Sequence, residues 1–294
     1  MNRPFLGLFL ASFLVLFYSL AFAQKEVTYS IGIFSGISSS FINDEGISQD
    51  ARYKYKYNVR TIPFGVHLGL DFNGYGFMID PQITEVGQIF NILNTNGGQV
   101  GRRDIRQQYF QIPFSYKKHI IDLSFFKVSW VFGVSPAILL SASETISHDP
   151  SKLRFPAYTF PVLQSPEFTA LGYEVEYDGV NVPQLNKQEI LRKEDFKSFQ
   201  LFGSIGLRSD WDVTDHARLS FDLRANVGLW DPRSNDYLDR AKNQQTLYEL
   251  SGARRDIFVS LTLGYARYLS IERKTRVKKV TPFQYYGPKR KKPK

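Results

Sequence analysis

Apolar and polar residues alternate with a period of two along most of this chain. In the clearest run, 64–72, every second residue is large and apolar, and the residues between are Gly, His or Asp. Because the side chains of a β-strand point alternately to its two faces, this pattern predicts strands with one apolar face. In a soluble sandwich the interleaved residues would face water. In a membrane barrel the apolar set faces lipid, and the other set faces the lumen.

The spacing of the segments favours the barrel. Segments with this pattern lie at 27–37, 60–72, 77–89, 105–117, 126–142, 198–212, 219–230 and 256–269. The first, third, fifth and seventh gaps between them are long, and the others are short, including the tight-turn sequence Asn73-Gly74-Tyr75-Gly76. Short turns at one end and long loops at the other predict an all-β fold. We expect an eight-stranded antiparallel up-and-down transmembrane β-barrel of the OmpA type, with long extracellular loops and both termini periplasmic.

Aromatic residues make up 15% of the chain, and their positions agree with a membrane barrel. Trp211, Trp230 and Tyr268 lie at predicted strand ends, where amphipathic rings suit the membrane–water interface. The alternative is that these rings fill the core of a soluble sandwich. Mean hydropathy is only −0.26, which is expected if just the alternate strand residues meet lipid.

The opposite phase of the strands carries charge. Its candidate members for a lumen charge network are His67, Asp71, Asp80, Arg208, Asp222 and Arg224. The lumen of an eight-stranded barrel is just wide enough for its own side chains, and a buried charge without a partner is costly. We therefore expect these residues to pair into a structural plug. The alternative is a path for protons or ions, against which the narrow bore argues.

The two ends of the chain differ from the barrel segment. Residues 1–23 combine Arg3, an apolar run and Ala21-Phe22-Ala23, which predicts a cleaved secretory signal peptide. Residues 24–269 are predicted to form the barrel domain. Residues 270–294 hold ten Lys/Arg and one Glu, so the formal charge of +9 belongs to a tail and the body is close to neutral. A basic tail without a basic folded face does not indicate a nucleic-acid-binding protein.

Two regions are candidates for contact with a protein partner. The long third outer loop, 143–196, is rich in proline and aromatic residues, and loops of such length are usually functional or disordered. We hold a partner-binding loop and a lid over the barrel as equal alternatives, with a surface hairpin predicted between 173–179 and 181–185. The tail is predicted to be disordered. The candidate contact residues are Phe155, Tyr158, Phe160, Tyr173, Tyr177, Tyr285, Tyr286, Lys289, Arg290, Lys291 and Lys292.

Candidate chemistry is sparse. The chain has no cysteine, which excludes thiol catalysis and cysteine metal sites. Of the four histidines, His67 is predicted in the lumen, His119 and His216 in short turns, and His148 at a solvated loop tip. None has a metal-ligand spacing, and no glycine-rich turn opens a helix, so we predict no metal and no cofactor. A Ser-His-Asp arrangement depends on space rather than spacing and stays open.

The strand sequences resemble those of the PorT-like outer-membrane β-barrel family of Bacteroidetes-type bacteria. The resemblance rests on YSIGIFSGISSSF (29–41), GFMIDPQITEVGQIF (76–90), YFQIPFSYKK (109–118), VFGVSPAILLSAS (131–143) and LRANVGLWD (223–231). It covers most of residues 27–269. Gln111 stands where the family's Tyr-x-x-Ile-Pro strand often carries Glu, and the long third loop and basic tail depart from short members. The resemblance implies a porin-like barrel linked to type IX secretion or gliding, and it carries over no site residues.

These observations predict a protein of the Gram-negative outer membrane that contacts lipid and lacks catalytic activity. We expect it to anchor or assist a larger envelope assembly, with type IX secretion or gliding as the implied system. The first alternative is an outer-membrane enzyme acting on lipid A or a surface substrate. The second is a small passive pore, which the paired lumen charges disfavour.

Overall fold

The computed structural model describes residues 27–60, 63–123, 125–243 and 247–269. The predicted signal peptide lies outside the described residues. So does the tail, with its candidates Tyr285, Tyr286, Lys289, Arg290, Lys291 and Lys292.

The described residues form strands and a few short helices. The strands are β1 Thr28–Asp44, β2 Tyr53–Lys56, β3 Val59–Arg60, β4 Phe64–Phe72, β5 Tyr75–Ile79, β6 Gln82–Leu93, β7 Gln99–Gln111, β8 Phe114–Asp122, β9 Phe126–His148, β10 Ser151–Leu153, β11 Glu174–Glu176, β12 Gly179–Val182, β13 Leu185–Leu191, β14 Phe199–Thr214, β15 Ala217–Gly228 and β16 Arg254–Tyr268. The α-helices are α1 Glu45–Gln49, α2 Phe160–Leu163, α3 Pro166–Ala170 and α4 Asn235–Asn243, and Ala157–Thr159 and Lys193–Asp195 are 3-10 helices. No helix among the described residues is long and apolar enough to cross a membrane.

The main sheet is antiparallel throughout. Its order is β14-β15-β16-β1-β4-β5-β8-β9, and β14 also pairs with β9, so each strand of this run is paired on both sides. Strands β6 and β7 pair with each other and continue β5 and β8 toward the long loops. A separate three-stranded sheet of β10, β12 and β11 lies in the connection between β9 and β14. The fold is thus all-β, of the outer-membrane barrel kind.

Two prolines interrupt the sequence segments predicted as the third and fourth strands. Pro81 separates β5 from β6, and Pro113 separates β8 from β7, because proline has no N–H to donate to a neighbouring strand. The two breaks lie side by side, since Ile79 pairs with Phe114 and Gln82 pairs with Gln111. The carbonyl oxygens of both prolines still accept hydrogen bonds, from Val66 N at 2.9 Å and Asp80 N at 3.1 Å. The strand pairing is therefore interrupted at both prolines, but hydrogen bonds to their carbonyl oxygens keep the neighbouring strands connected.

Strands run further toward the long loops than predicted. Strand β1 ends at Asp44 rather than 37, and β9 ends at His148 rather than 142. In these extensions the apolar face changes side: Ile33 and Ile37 are exposed on β1, but Ile42 on the same strand is buried inside. The outward residues of the β9 extension, Ser143, Thr145 and Ser147, are polar, so a search for lipid-facing alternation stops too early.

Short turns follow β4, β8 and β14, as predicted, but the flanking strands run further into them than expected. Phe72 pairs with Tyr75 across the two-residue turn Asn73-Gly74, where Gly74 adopts a φ of +85°, a conformation that costs glycine little. The outer surface between the turns and the extensions is apolar. Trp211, near the end of β14, and Trp230, two residues beyond β15, are 43% and 37% exposed. The inward residues, by contrast, are polar and buried. We name the two ends of the molecule the short-turn end and the long-loop end.

Candidate functional site

The six predicted lumen residues are all buried inside the short-turn half of the sheet. His67 Nδ1 lies 2.7 Å from Asp80 Oδ1, and Arg224 contacts Asp80 at 2.8 Å and Asp222 at 2.6 Å. Arg208 Nη1 lies 3.4 Å from Asp222. These five residues therefore form one connected group. Asp71 is not in direct contact with them.

Four charged residues that sequence analysis missed complete this network. They are Lys117, Asp210, Asp212 and Arg218, each at most 6% exposed at the side chain. Lys117 Nζ bridges Asp71 at 2.6 Å and Asp210 at 3.2 Å, and Asp210 lies 2.8 Å from Arg208, which connects Asp71 to the rest. Arg218 contacts Asp71 and also Asp212, the latter at 3.0 Å. Their inward phase on β8, β14 and β15 is the signal that could have found them.

Glycines make room for this network. A Cβ atom at Gly76 would lie 2.6 Å from both Asp71 Oδ1 and Lys117 Cε, and one at Gly69 would lie 2.5 Å from Ser30 Oγ. Such distances are shorter than any van der Waals contact. Small residues on the inward face are thus required wherever the long charged side chains cross the bore.

Three aromatic rings fill the bore above the network. Tyr109 and Phe258 each pack edge-to-face on Phe202, with ring centroids 5.6 Å apart in both pairs. All three side chains are essentially unexposed, at 0–1%. Edge-to-face packing of this kind is favourable beyond simple burial. The rings therefore lie between the two halves of the described interior as a packed apolar layer.

A second charged layer lies beyond the rings, toward the long-loop end. Glu144 accepts hydrogen bonds from Arg103 at 2.5 Å and Arg254 at 2.8 Å, and Arg254 also reaches Asp44 at 2.6 Å. Arg233 pairs with Asp231 at 2.9 Å. None of these residues was predicted, because they lie on the strand extensions or in segments assigned to loops.

Many inward side chains of the described strands are buried and pack against one another. One cavity in the bore has a volume of ≈ 20 Å³, and His67, Asp80, Arg208, Asp222 and Arg224 line part of it. A cavity of this size holds about one water molecule. It lacks room for a substrate or for a column of hydrated ions.

The connections at the long-loop end fold into a cap, which we define as residues 149–198 and the described part of 229–253. Its apolar core joins cap residues to the inward side chains Ile92 and Ile146 of the wall. Phe155 and Tyr173 are 4% and 5% exposed in this core, and Phe160 packs against it. These predicted contact residues therefore stabilise the cap instead of presenting a surface. Tyr177 is fully exposed, and Tyr158 lies in the 3-10 helix Ala157–Thr159.

Three buried arginines bind carbonyl oxygens of the second cap connection, two of them from outside the cap and Arg233 from within the connection. Arg52 donates to the carbonyl oxygen of Leu247 at 3.2 Å, Arg103 to that of Tyr248 at 2.9 Å, and Arg233 to that of Leu250 at 3.3 Å. Each guanidinium is at most 1% exposed. We call segment 247–252 with these donors the arginine clamp. Hydrogen bonds from charged donors are among the stronger ones in proteins, so the clamp fixes the cap in place.

Two histidine predictions were wrong. His148 is not a solvated loop tip but the buried last residue of β9, with Nε2 3.0 Å from the hydroxyl of Tyr248. Burial, helped by Tyr173, raises the pKa of Tyr248, so this phenol stays neutral. His119 is not in a turn but in β8, with Nδ1 2.7 Å from Ser129 Oγ.

The third loop contains a hairpin, as predicted, but its second strand is 179–182 rather than 181–185, and Val180 and Val182 of that strand are buried. Strand β11 pairs with β12 in the register Glu174–Asn181 and Glu176–Gly179, slightly earlier than predicted. Tyr177 lies at its tip. Across the described ranges, no cluster of His, Asp or Glu is arranged to hold a metal ion.

An antiparallel sheet with an apolar outer surface and a packed polar interior defines an outer-membrane β-barrel protein. The family model described as "Outer membrane protein beta-barrel domain" matches residues 22–231, so the chain belongs to this family. Membership implies location in the outer membrane of a Gram-negative bacterium. No curated protein matches the chain.

Several solved outer-membrane barrels are similar to the chain at low identity. Neisserial surface protein A is 9% identical, with a TM-score of 0.33, covering 83% of this chain and 99% of that one. OprG from Pseudomonas aeruginosa is 12% identical, with a TM-score of 0.34, covering 83% and 97%. Ail, the attachment invasion locus protein of Yersinia pestis, is 9% identical, with a TM-score of 0.30, covering 81% and 97%. The family assignment rests on the family match.

Removing one buried arginine should destabilise the barrel far more than removing an exposed one. We expect Arg224→Met to lower the free energy of unfolding in detergent by about 3–5 kcal/mol, because Asp80 and Asp222 lose a buried partner. Arg192→Met is the matched control: Arg192 also contacts a carboxylate, that of Glu189 at 3.1 Å, but the two side chains are 73% and 43% exposed, so the loss should stay below about 1 kcal/mol.

Urea titration of heat-modifiability on gels measures both changes. Adding Asp222→Asn to Arg224→Met should recover part of the loss, since it removes one uncompensated charge. Equal effects of the two single substitutions would contradict the role assigned to the inner network.

Proposed function

We propose that the chain is a non-catalytic, closed eight-stranded barrel that holds a rigid cap at the cell surface and thereby anchors or assists an envelope assembly. The ring of pairings from β14 through β16, β1, β4, β5, β8 and β9 back to β14 supports closure. In this orientation the long-loop end is extracellular and both termini are periplasmic, as usual for bacterial barrels with short periplasmic turns.

The observation that carries this proposal is the filled bore. Rings of Tyr109, Phe202 and Phe258 separate two layers of ion pairs, and the cap covers the second layer. A conducting pore needs a continuous wet path, and a transporter needs a cavity of ligand size. A solid interior serves neither purpose, whereas it suits a barrel whose task is to hold an external structure.

The cap combines the two roles considered for the third loop. Its inner side closes the barrel mouth through the arginine clamp, and its outer side is available to other molecules. The β11–β12 hairpin presents Tyr177 to solvent, and exposed tyrosines are frequent anchors in protein interfaces. A protein partner of the envelope is the occupant we propose. Type IX secretion or gliding is the assembly that the family resemblance implies.

The filled bore predicts the absence of conductance. The purified chain inserted into planar bilayers should show no stepwise current, because the aromatic layer and both ion-pair layers block the path. A cap deletion, Δ151–194, should stay silent as well, since the layers beneath the cap remain. Discrete current steps from the full chain would overturn the sealed-barrel proposal.

Loss of the cap should abolish partner capture without abolishing the barrel. In the Δ151–194 variant we expect a heat-modifiable barrel, since β9 and β14 still pair along residues 126–138 and 199–211. Crosslinking in intact cells should then lose the proteins attached to the full chain. Because the deletion also uncovers the arginine clamp, Tyr177→Arg at the hairpin tip is the milder variant, expected to weaken crosslinking at least several-fold.

Tyr57→Arg is the matched control, because Tyr57 is 64% exposed on the first long connection, outside the cap. It should leave crosslinking unchanged. A separate deletion of 270–294 measures the contribution of the basic tail at low salt. Crosslinked partners that persist in the Δ151–194 variant would contradict the cap as their attachment site.

One observation favours an enzyme as the second candidate. Ser30 Oγ lies 3.5 Å from His67 Nε2, and His67 Nδ1 lies 2.7 Å from Asp80 Oδ1, which is the order of contacts in a serine hydrolase triad. However, Arg208 Nη2 lies equally close to His67 Nε2, at 3.5 Å. The three residues are at most 4% exposed, and the adjoining cavity is too small for an acyl group. We therefore assign these contacts to the structural network.

A covalent probe separates the two candidates. A fluorophosphonate should not label the purified chain, and Ser30→Ala should give the same blank result, because no substrate-sized path reaches Ser30. Labelling of the full chain that disappears in Ser30→Ala would instead establish a nucleophilic serine and overturn the non-catalytic assignment.

A further inference from the structure

Three exposed cations lie together on the outer wall above the apolar band. Lys54 and Lys56 are on β2, and Arg102 is on β7. Lys54 pairs with Asn91 of β6, and Asn91 pairs with Arg102 of β7. Lys54 and Arg102 therefore lie at the same level of the sheet, on either side of β6. Two strand spacings separate them by about 10 Å, and Lys56 is about 7 Å further along β2. We call these three residues the basic face.

The basic face has no counter-ion among the described residues. Its neighbour Arg106 shows the contrast, because Asp104 binds that guanidinium at 3.0 Å. Elsewhere in the described chain, arginines such as Arg254 and Arg224 have carboxylate partners. Three uncompensated cations on one exposed face create a positive potential that attracts an anion.

The position of the basic face limits what that anion can be. On the same strands the outer surface turns apolar at Ile83 and Phe110, which pair with each other, and Ile83 is 44% exposed. Arg102 lies eight residues beyond Phe110, about 27 Å along the strand, or about 20 Å along the membrane normal at the usual barrel tilt. The face thus stands beyond a headgroup layer of about 5–7 Å, at the height of the phosphorylated sugars that a glycolipid carries above its acyl chains.

We propose that the basic face binds the phosphate groups of the glycolipid in the outer leaflet, lipopolysaccharide. This inference rests on the orientation given under the proposed function. Lysine ammonium groups act as point charges toward phosphate, and the arginine fork adds bidentate hydrogen bonds.

Binding is tested on the purified mature chain in zwitterionic detergent. The probes are a rough-type lipopolysaccharide with its phosphates intact and the same material after chemical dephosphorylation. We expect the intact form to bind at least ~10-fold more tightly, with an affinity that falls as salt rises. The variant Lys54→Gln/Lys56→Gln/Arg102→Gln should lose this preference while keeping its heat-modifiable shift.

The matched control is Arg154→Gln/Lys193→Gln/Lys242→Gln, which removes three exposed cap cations and should bind like the unaltered chain. Equal binding of the dephosphorylated form, or unchanged binding by the basic-face variant, overturns the proposal. So does complete competition by inorganic phosphate at constant ionic strength, which would indicate a nonselective anion site. Protease accessibility of the cap on intact cells tests the orientation separately. A failure of glycolipid binding can therefore be distinguished from a failure of the proposed orientation.

Discussion

A charge buried inside a narrow barrel has to meet an opposite charge, and this constraint organises the whole interior. The wall is apolar outside because lipid surrounds it, so the polar half of each strand has to face inward. Asp71, Asp80 and Asp222 are tolerated there only because Lys117, Arg218 and Arg224 reach them across the bore. The alternation of apolar and polar residues along the strands thus places charged side chains inside, where they have to pair. The paired side chains in turn occupy the bore.

The same alternation made the membrane half of the fold predictable. A strand lies in every predicted segment, and all six predicted lumen residues are buried inside, because a period of two assigns each residue a face directly. Partner choice was not predictable. Asp71 contacts Lys117 and Arg218 rather than Arg208 or Arg224, since the strand register and tilt decide which inward residues share a level.

The long-loop half was missed because the rule of alternation changes there. Lipid faces Ile37 on β1, but Ile42 lies inside, in a second apolar cluster that includes the cap residue Leu250, so the apolar phase inverts once the strand leaves the membrane. Beyond that point Arg103, Glu144 and Arg254 occupy the interior, and Lys54 and Arg102 occupy the exterior. Phe155 and Tyr173 were predicted to contact a partner for a related reason. The sequence of an aromatic-rich loop does not show that its rings form an apolar core, because that core also includes the distant segment 247–250.

The hydrogen bonds of the arginine clamp explain how the outer side of the cap can vary in sequence while the barrel stays closed. Arg52, Arg103 and Arg233 donate to backbone carbonyl oxygens, so segment 247–252 is held by atoms that every residue type supplies. Side chains on the outer side of the cap are then free of any part in closure. The need to pair buried charges therefore applies only up to the inner surface of the cap. Residues on the outer surface of the cap can change under selection for a partner without destabilising the barrel.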